Sequence, residues 1–245
     1  MKVLDRDVAL KALVGSHNYN LANEESDKDY KVFVIPTFEE LYKGKQYSHS
    51  IITPTEDNDI HDVRKLTDLL FKANINFLEV LASTEIIIPE GNEEIEEIIS
   101  MRKEIFKMNL PHLYDACKGM HYNKMKLLLK GTEGTQHLVD KYGYDTKQAL
   151  HAYRVLKFIE DFEANGFEDF EGAMRYEGED LKFMKTIRHG GLTLEAYLNF
   201  INHYYEATFT HLADKYRAHK PDLKMKEKIE TLIMQLIKRK LIEVK

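Results

Sequence analysis

Cysteine is almost absent from this sequence of 245 residues, in which Cys117 stands alone. One thiol builds neither an intrachain disulfide framework nor a multi-cysteine zinc site, and its Asp-Ala-Cys-Lys surroundings read as an ordinary helical position. Long apolar runs are missing too. No stretch approaches the roughly 18 consecutive apolar residues that a spanning helix needs, so no membrane role is expected. The opening MKVLDRDVALKALVG carries charge on both sides of a short apolar run and has no small-residue cleavage site, unlike a signal peptide. A cytoplasmic protein is the expectation. Nor is there a surplus of positive charge. A formal net charge of −6 argues against indiscriminate nucleic-acid binding, which gains affinity by neutralising many phosphates. No internal repeat or low-complexity segment is visible.

What is present is a globular composition, 43% hydrophobic and 31% charged, in a length that suits two domains of ordinary size. The charges are unevenly spread. Acids crowd Glu85 to Glu97 and Glu160 to Asp180, whereas the last thirty residues are basic, with Lys226, Lys228, Lys238, Arg239 and Lys240 among them. That tail reads as the solvated face of a terminal amphipathic helix, a polyanion-facing surface being the sharper alternative.

The first ninety residues mix strand-like and helical runs. Residues 5 to 14 suit a first helix or strand, and KVFVI before Pro36 is a core strand. Asp59 to His61 reads as a second strand-like piece, Asp62 as a helix cap, and Ile86 to Ile88 as a further strand. From about Glu93 onward the apolar repeat is helical, with helices expected near 93 to 106, 110 to 130, 145 to 164, 179 to 188, 193 to 217 and 222 to 242. The expectation is therefore an α+β protein with a domain over 1–108 and a helical bundle over 109–245.

The strongest chemical signal lies in GSHNYNL at 15 to 21 followed by SDKDY at 26 to 30. A Gly15-Ser16 turn lets backbone N–H groups and a hydroxyl approach phosphate. Asp27 and Asp29, two apart at the entrance to a strand, project from one face with Cα atoms roughly 7 Å apart. Such carboxylates suit Mg²⁺ or Mn²⁺, hard cations that take one or two acids plus substrate phosphates. A third carboxylate is expected from Asp57-Asn58-Asp59-Ile60-His61-Asp62. Asp59 is the choice because alternation puts it on one face with His61, with Asp57 and Asp62 in reserve.

These residues resemble the Gly-Ser and Asp-x-Asp signature of the DNA polymerase beta nucleotidyltransferase superfamily. Within it the chain is most similar to the RNA repair pathway DNA polymerase beta family of bacteria and phages. HDVRKLTDLLFKANINFLEVL at 61 to 81, KYGYDTKQALHAYRVL at 141 to 156 and IRHGG at 187 to 191 extend the likeness over most of the chain. The resemblance implies a nucleotidyltransferase fold at the N-terminus, a small mixed sheet flanked by helices, followed by a helical substrate-binding domain. It also implies that Gly15 and Ser16 bind the triphosphate of an NTP, that Asp27 and Asp29 are metal ligands, and that RNA and an RNA-repair protein are partners.

The helical half adds a second clue. Asp145 can cap a helix with Gln148 at the N3 position of a capping box. Lys147, His151 and Arg154 then share a basic stripe, opposite an apolar stripe of Ala149, Ala152, Leu156 and Ile159. These three, with Arg188 before the Gly190-Gly191 turn and His17 beside Gly15-Ser16, are the candidate nucleotide-binding residues. His112, His121 and His203 read as structural, and Tyr142 and Tyr144 as core rings with a minor base-stacking alternative. Metal-dependent transfer of a nucleoside monophosphate to an RNA 3′ end is the reading. Its alternatives are a protein or small-molecule acceptor, or a silent nucleotide- or RNA-binding module.

Overall fold

The computed structural model describes residues 1–23 and 26–243 and divides the chain into two compact units, Met1–Asn109 with Pro221–Lys245, and Leu110–Lys220. The break at Asn109 falls one residue beyond the expected boundary. The terminal helix, which the sequence pattern grouped with the helical domain, packs instead in the first unit.

The first unit contains β1 (Lys2–Val3), β2 (Arg6–Val14), β3 (Lys28–Val34), α1 (Phe38–Tyr42), β4 (Ser48–Ile52), β5 (Glu56–Asp62), α2 (Leu66–Phe71), α3 (Ile75–Leu78), β6 (Ile86–Ile87), α4 (Glu93–Ser100) and α5 (Arg102–Lys107). Of residues 5 to 14, open to either reading in the sequence, Arg6–Val14 form a strand because Val8, Leu10, Leu13 and Val14 pack on both faces of a sheet. The strands run in the order β1-β2-β3-β5-β4, with β6 also on β2. Among the described residues β3 and β5 pair in parallel and the other strand pairings are antiparallel.

Side chains alternate across this sheet. Val32, Val34, Tyr30, Leu13, Val8 and Ile60 point to one face and form a core cluster, against which Val3, Tyr47 and Ile51 pack. The opposite face therefore receives Asp29 and Lys31 from β3 and Asp57, Asp59 and His61 from β5. Phe77 of α3 lies over part of that face, its ring meeting the His61 ring at 5.3 Å. Asp62 turns inward at the end of β5 and, as expected, caps the following turn through the Arg64 N–H at 2.9 Å.

The helix α13 (Leu223–Glu243) buries Ile229, Leu232, Ile233, Leu236 and Ile237 at helical spacing. Its cations meet acids: Lys226 with Asp68 at 3.0 Å, Lys228 with Glu97 at 2.9 Å, and Arg239 with Glu94 at 2.5 Å. Glu93, Glu94 and Glu97 of the acidic crowd are thus partners of Arg239 and Lys228 of the basic tail.

The second unit is helical, with α6 (Leu110–Leu127), α7 (Gln136–Tyr142), α8 (Thr146–Ala164), α9 (Phe170–Met174), α10 (Gly178–Arg188), α11 (Leu194–Ala207) and α12 (Ala213–Arg217). The expected helix over 193 to 217 is interrupted by a 3₁₀ turn at Phe209–Leu212. The centre is α8, whose Ala149, Ala152, Leu156 and Ile159 are fully buried. It runs antiparallel to α6, since Asp145 N–H donates to the Leu128 carbonyl at 2.8 Å and His121 Nδ1 donates to the Ala152 carbonyl at 3.0 Å. The hydroxyls of Tyr197, Tyr176 and Tyr216 donate to the α8 carbonyls of Ala149, Arg154 and Ile159. Among the described residues no helix is long and apolar enough to cross a membrane.

Candidate active site

The parallel pairing of β3 with β5 sets the register Asp29 opposite Asp57 and Lys31 opposite Asp59. Two rows of like-facing polar residues result, lining a cleft of about 310 Å³ with Val14 and Gly15 from β2 and its turn, and Asn76 and Glu79 from the α3 segment. Gly15 closes one wall. Its φ is +72°, a left-handed conformation that glycine adopts without cost, and a Cβ built there would lie 2.5 Å from Asp29 Oδ2. The missing side chain therefore lets the acid lie directly against the turn.

The turn itself is latched from beneath. Glu79 is buried, at 3% exposure. Its Oε2 accepts the Gly15 N–H at 3.1 Å, and its carbonyl accepts from Asn18 Nδ2 at 3.1 Å. Asn18 Oδ1 in turn accepts the Thr84 N–H. The Gly15 N–H, which the sequence suggested for phosphate, is thus already given to Glu79, and the turn offers Ser16 next. His17 is half-buried and its Nε2 donates to the Ser26 carbonyl at 3.2 Å, tying the turn to the segment that leads into β3. Glu79 and Asn18 carried no periodic signal; only the fold brings residue 79 back to residue 15.

The four acids differ. Asp29, Asp57 and Asp59 line the cleft, while Asp27 is exposed just ahead of β3 and lies outside that lining. Asp59 Oδ2 is engaged by Lys31 Nζ at 3.0 Å and His61 Nε2 at 2.8 Å, so the shared face expected for Asp59 and His61 is present. Burial pushes the Asp59 carboxyl up, but Lys31 and His61 outweigh it and hold the group below the usual carboxylate range. Burial likewise holds the His61 imidazole below the ordinary histidine value, against the pull of Asp59. Asp57 is different: its Oδ1 is buried with no hydrogen-bond partner among the described residues. A buried carboxylate oxygen without a donor is costly unless something cationic meets it.

Among the described residues no group of three or more histidine, cysteine, aspartate or glutamate side chains is placed to hold a metal ion. A cation here would rest on one or two carboxylates and borrow the remaining oxygens from substrate, the habit of Mg²⁺. The orphaned Asp57 Oδ1 beside Asp29 fits that demand. A larger cavity, about 520 Å³, lies elsewhere in this unit among Leu41, Ile233, Met234, Ile237 and Leu241. Arg64, Asp68, Glu230 and Lys238 also line it, and it has neither Gly15 nor Asp29 in its wall.

In the second unit, the cations expected from sequence come together around one imidazole. Lys147, His151 and Arg154 share a face of α8. Arg188 ends α10, and its carbonyl accepts the Thr146 hydroxyl at 2.9 Å, which fixes that end beside the start of α8. Lys124 of α6, which the sequence reading missed, belongs with them. Burial, followed by Arg154, Lys124, Lys147 and Arg188 in that order, holds His151 well below its ordinary value. Arg154, a candidate nucleotide-binding residue in the sequence, is itself buried, at 5% exposure.

Asp145 caps α8 as expected, accepting from the Lys147 and Gln148 N–H groups at 3.0 Å. The reciprocal half of the capping box is not made: the Asp145 N–H goes to Leu128, leaving Gln148 Oε1 buried without a partner. Tyr144 is fully buried with its hydroxyl on the Leu192 carbonyl, so it stacks no base. Tyr142 packs so tightly on Gly190 that a Cβ there would fall 2.2 Å from its ring. His121, read as structural, is buried.

A family model described as the RNA repair pathway DNA polymerase beta family matches residues 4–235. No curated protein matches the chain.

Proposed function

The chain belongs to the RNA repair pathway DNA polymerase beta family, and from that premise we propose that it moves a nucleoside monophosphate from an NTP to an RNA 3′ hydroxyl. Polymerase beta-like nucleotidyl transfer is the activity of the family; the acceptor and the residue roles are our reading. The acceptor oxygen bonds to the α-phosphorus, the bond from that phosphorus to the bridging oxygen breaks, and pyrophosphate leaves with the electron pair. The hydroxyl proton passes to a carboxylate or to solvent.

Asp29 and Asp57 would hold the divalent cation, with Asp27 at the lip of the cleft as a further ligand. When bound, Mg²⁺ or Mn²⁺ supplies positive charge that offsets the charge of the triphosphate. We assign the third acid to Asp57 rather than Asp59, because Asp59 is already engaged by Lys31 and His61. Asp59 would then hold Lys31 toward the cleft. Ser16 and His17 would bind the triphosphate beside Gly15, whose N–H stays with Glu79. Holding the reacting groups together supplies much of the rate in such transfers.

One observation carries the reading: Asp29 and Asp57 are register neighbours on a cleft walled by Gly15, and Asp57 keeps a buried oxygen without a partner. The test is transfer of labelled NTP to RNA with Mg²⁺. Asp29→Asn and Asp57→Asn should each lower the rate at least about a hundredfold, the scale of losing one group that steadies charge in the transition state, with unchanged circular dichroism. Full activity in Asp57→Asn beside loss in Asp59→Asn would reverse the assignment. No label on RNA from the wild type would send the acceptor to a protein or small molecule, and no NTP binding would remove the enzymatic reading.

A further inference from the structure

Outside the acidic cleft, the second unit gathers five basic side chains from three helices, with a geometry that packing fixes. Positions 147, 151 and 154 fall on one face of α8 by the helical repeat. The antiparallel contacts Leu128 with Asp145 and His121 with Ala152 bracket Lys124, so α6 presents it beside that face. The Thr146 bond to the Arg188 carbonyl brings the end of α10 to the same place.

Among the described residues Lys124, Lys147 and Arg188 form no ion pair with an acid. Asp145, whose charge reaches Lys124, spends Oδ1 on capping α8, and its Oδ2 is buried with no hydrogen-bond partner among the described residues. Burial and then Arg154 and Lys147 hold the Lys124 amine below its ordinary value, and the opposing pull of the Asp145 carboxylate does not outweigh them.

We propose that this cluster is a metal-independent site for a multiply charged, compact phosphate: a terminal phosphate of RNA or the oligophosphate of a nucleotide. The compactness carries the choice. A surface that follows a nucleic-acid backbone meets one negative charge per phosphodiester and needs cations spread along a track. Here the cations converge on a single half-buried histidine, and a phosphomonoester offers nearly two charges and three strong acceptor oxygens at one point. Arg188 can present two parallel N–H donors, the lysines act as point charges, and Arg154, buried at 5% exposure, adds its charge. His151, neutral among these cations, supplies one hydrogen bond. The site goes beyond the transfer chemistry, since it shares no residue with the cleft of the first unit and needs no metal.

The test is binding to the full chain in EDTA without NTP, so failure of nucleotidyl transfer leaves its outcome untouched. Three probes are titrated: inorganic tripolyphosphate, a 5′-phosphorylated oligoribonucleotide, and the same oligonucleotide with a 5′ hydroxyl. At least one phosphorylated probe should bind about tenfold or more tightly than the 5′-hydroxyl oligonucleotide, and the preferred probe distinguishes a nucleotide from an RNA end.

Lys147→Gln, at an exposed position, and Lys124→Gln should each weaken that binding about tenfold, the scale of one hydrogen bond to a charged group. Lys228→Gln on α13 should leave it unchanged. Two substitutions on different helices keep the test valid if one disturbs folding. Absence of binding in EDTA, equal affinity for the 5′-hydroxyl oligonucleotide, or indifference to both lysine substitutions would each overturn the proposal.

Discussion

The cations of α13 lie against acids, whereas those around the first turns of α8 lie against one another. On α13, Lys228 reaches Glu97, and Arg239 reaches Glu94 and the Gly91 carbonyl at 2.7 Å. On α8, Lys147 and Arg154 stand with Lys124 and Arg188 around His151, and burial, with their charges added, holds its imidazole well below the ordinary value. The two regions teach that a basic run has no function by itself; what it faces decides. Ion pairs near the surface contribute about 0–1 kcal/mol each, so α13 uses its charge to settle a helix whose hold is mainly the burial of Ile229, Ile233 and Leu236. Gathered like charges work against folding, and an incoming anion relieves that repulsion.

The comparison is broken most severely by giving α8 what α13 already has. Lys124→Glu places an acid among the cations of α8, and metal-free phosphate binding should fall about a hundredfold, beyond the effect of Lys124→Gln. This follows because a repulsive charge is added to the lost attraction. Calorimetric titration reads it, and an affinity equal to that of Lys124→Gln would mean that the cluster does not act through its net charge.

A second contrast is in protons. The groups that face His151 are Lys147 and Arg154 from α8, Lys124 from α6 and Arg188 from α10, and with burial they lower its folded value. Unfolding restores the ordinary value, so the unfolded chain binds the extra proton. The contribution of His151 to stability is therefore complete above the ordinary histidine range and lost as pH falls through it toward the lowered folded value. A bound phosphate offsets the cations and raises the folded value. Binding should accordingly include a proton uptake at His151 that offsets protons the phosphate itself releases, read as heats that differ between buffers of unlike ionisation enthalpy. Part of that uptake should vanish in His151→Gln, and equal uptake in the two proteins would remove His151 from the site.

The smallest effect belongs to α13. Arg239→Gln loses the Glu94 pair and should cost about 1 kcal/mol, lowering the melting temperature by roughly 2–4 °C for a chain of this size, with phosphate affinity unchanged. A fall in phosphate affinity would make α13 part of a binding surface after all.

Local features were legible in the sequence because local physics makes them. KVFVI is a strand since β-branched side chains suit a pleated surface. Asp62 and Asp145 are caps because a short carboxylate reaches N–H groups two or three residues ahead. The α8 apolar stripe at Ala149, Ala152, Leu156 and Ile159 follows from the helical repeat, and Gly15-Ser16 with Asp29 marked the cleft. Alternation correctly placed Asp59 with His61, yet alternation within β5 cannot tell which of its acids stands opposite Asp29.

By itself, then, the sequence determined the α+β order, the strands and caps, the Gly-Ser turn with its acids, and the family. Tertiary structure decided four matters. The parallel register of β3 and β5 set Asp57, not Asp59, beside Asp29. The return of residue 79 to residue 15 gave the Gly15 N–H to Glu79. The antiparallel packing of α6 on α8 brought Lys124 to His151, and α13 joined the first unit, where the acids of α4 neutralise it. The reason is one of range: caps, turns and periodicities join residues a few positions apart, while register and helix packing join residues tens of positions apart, whose meeting no local pattern encodes.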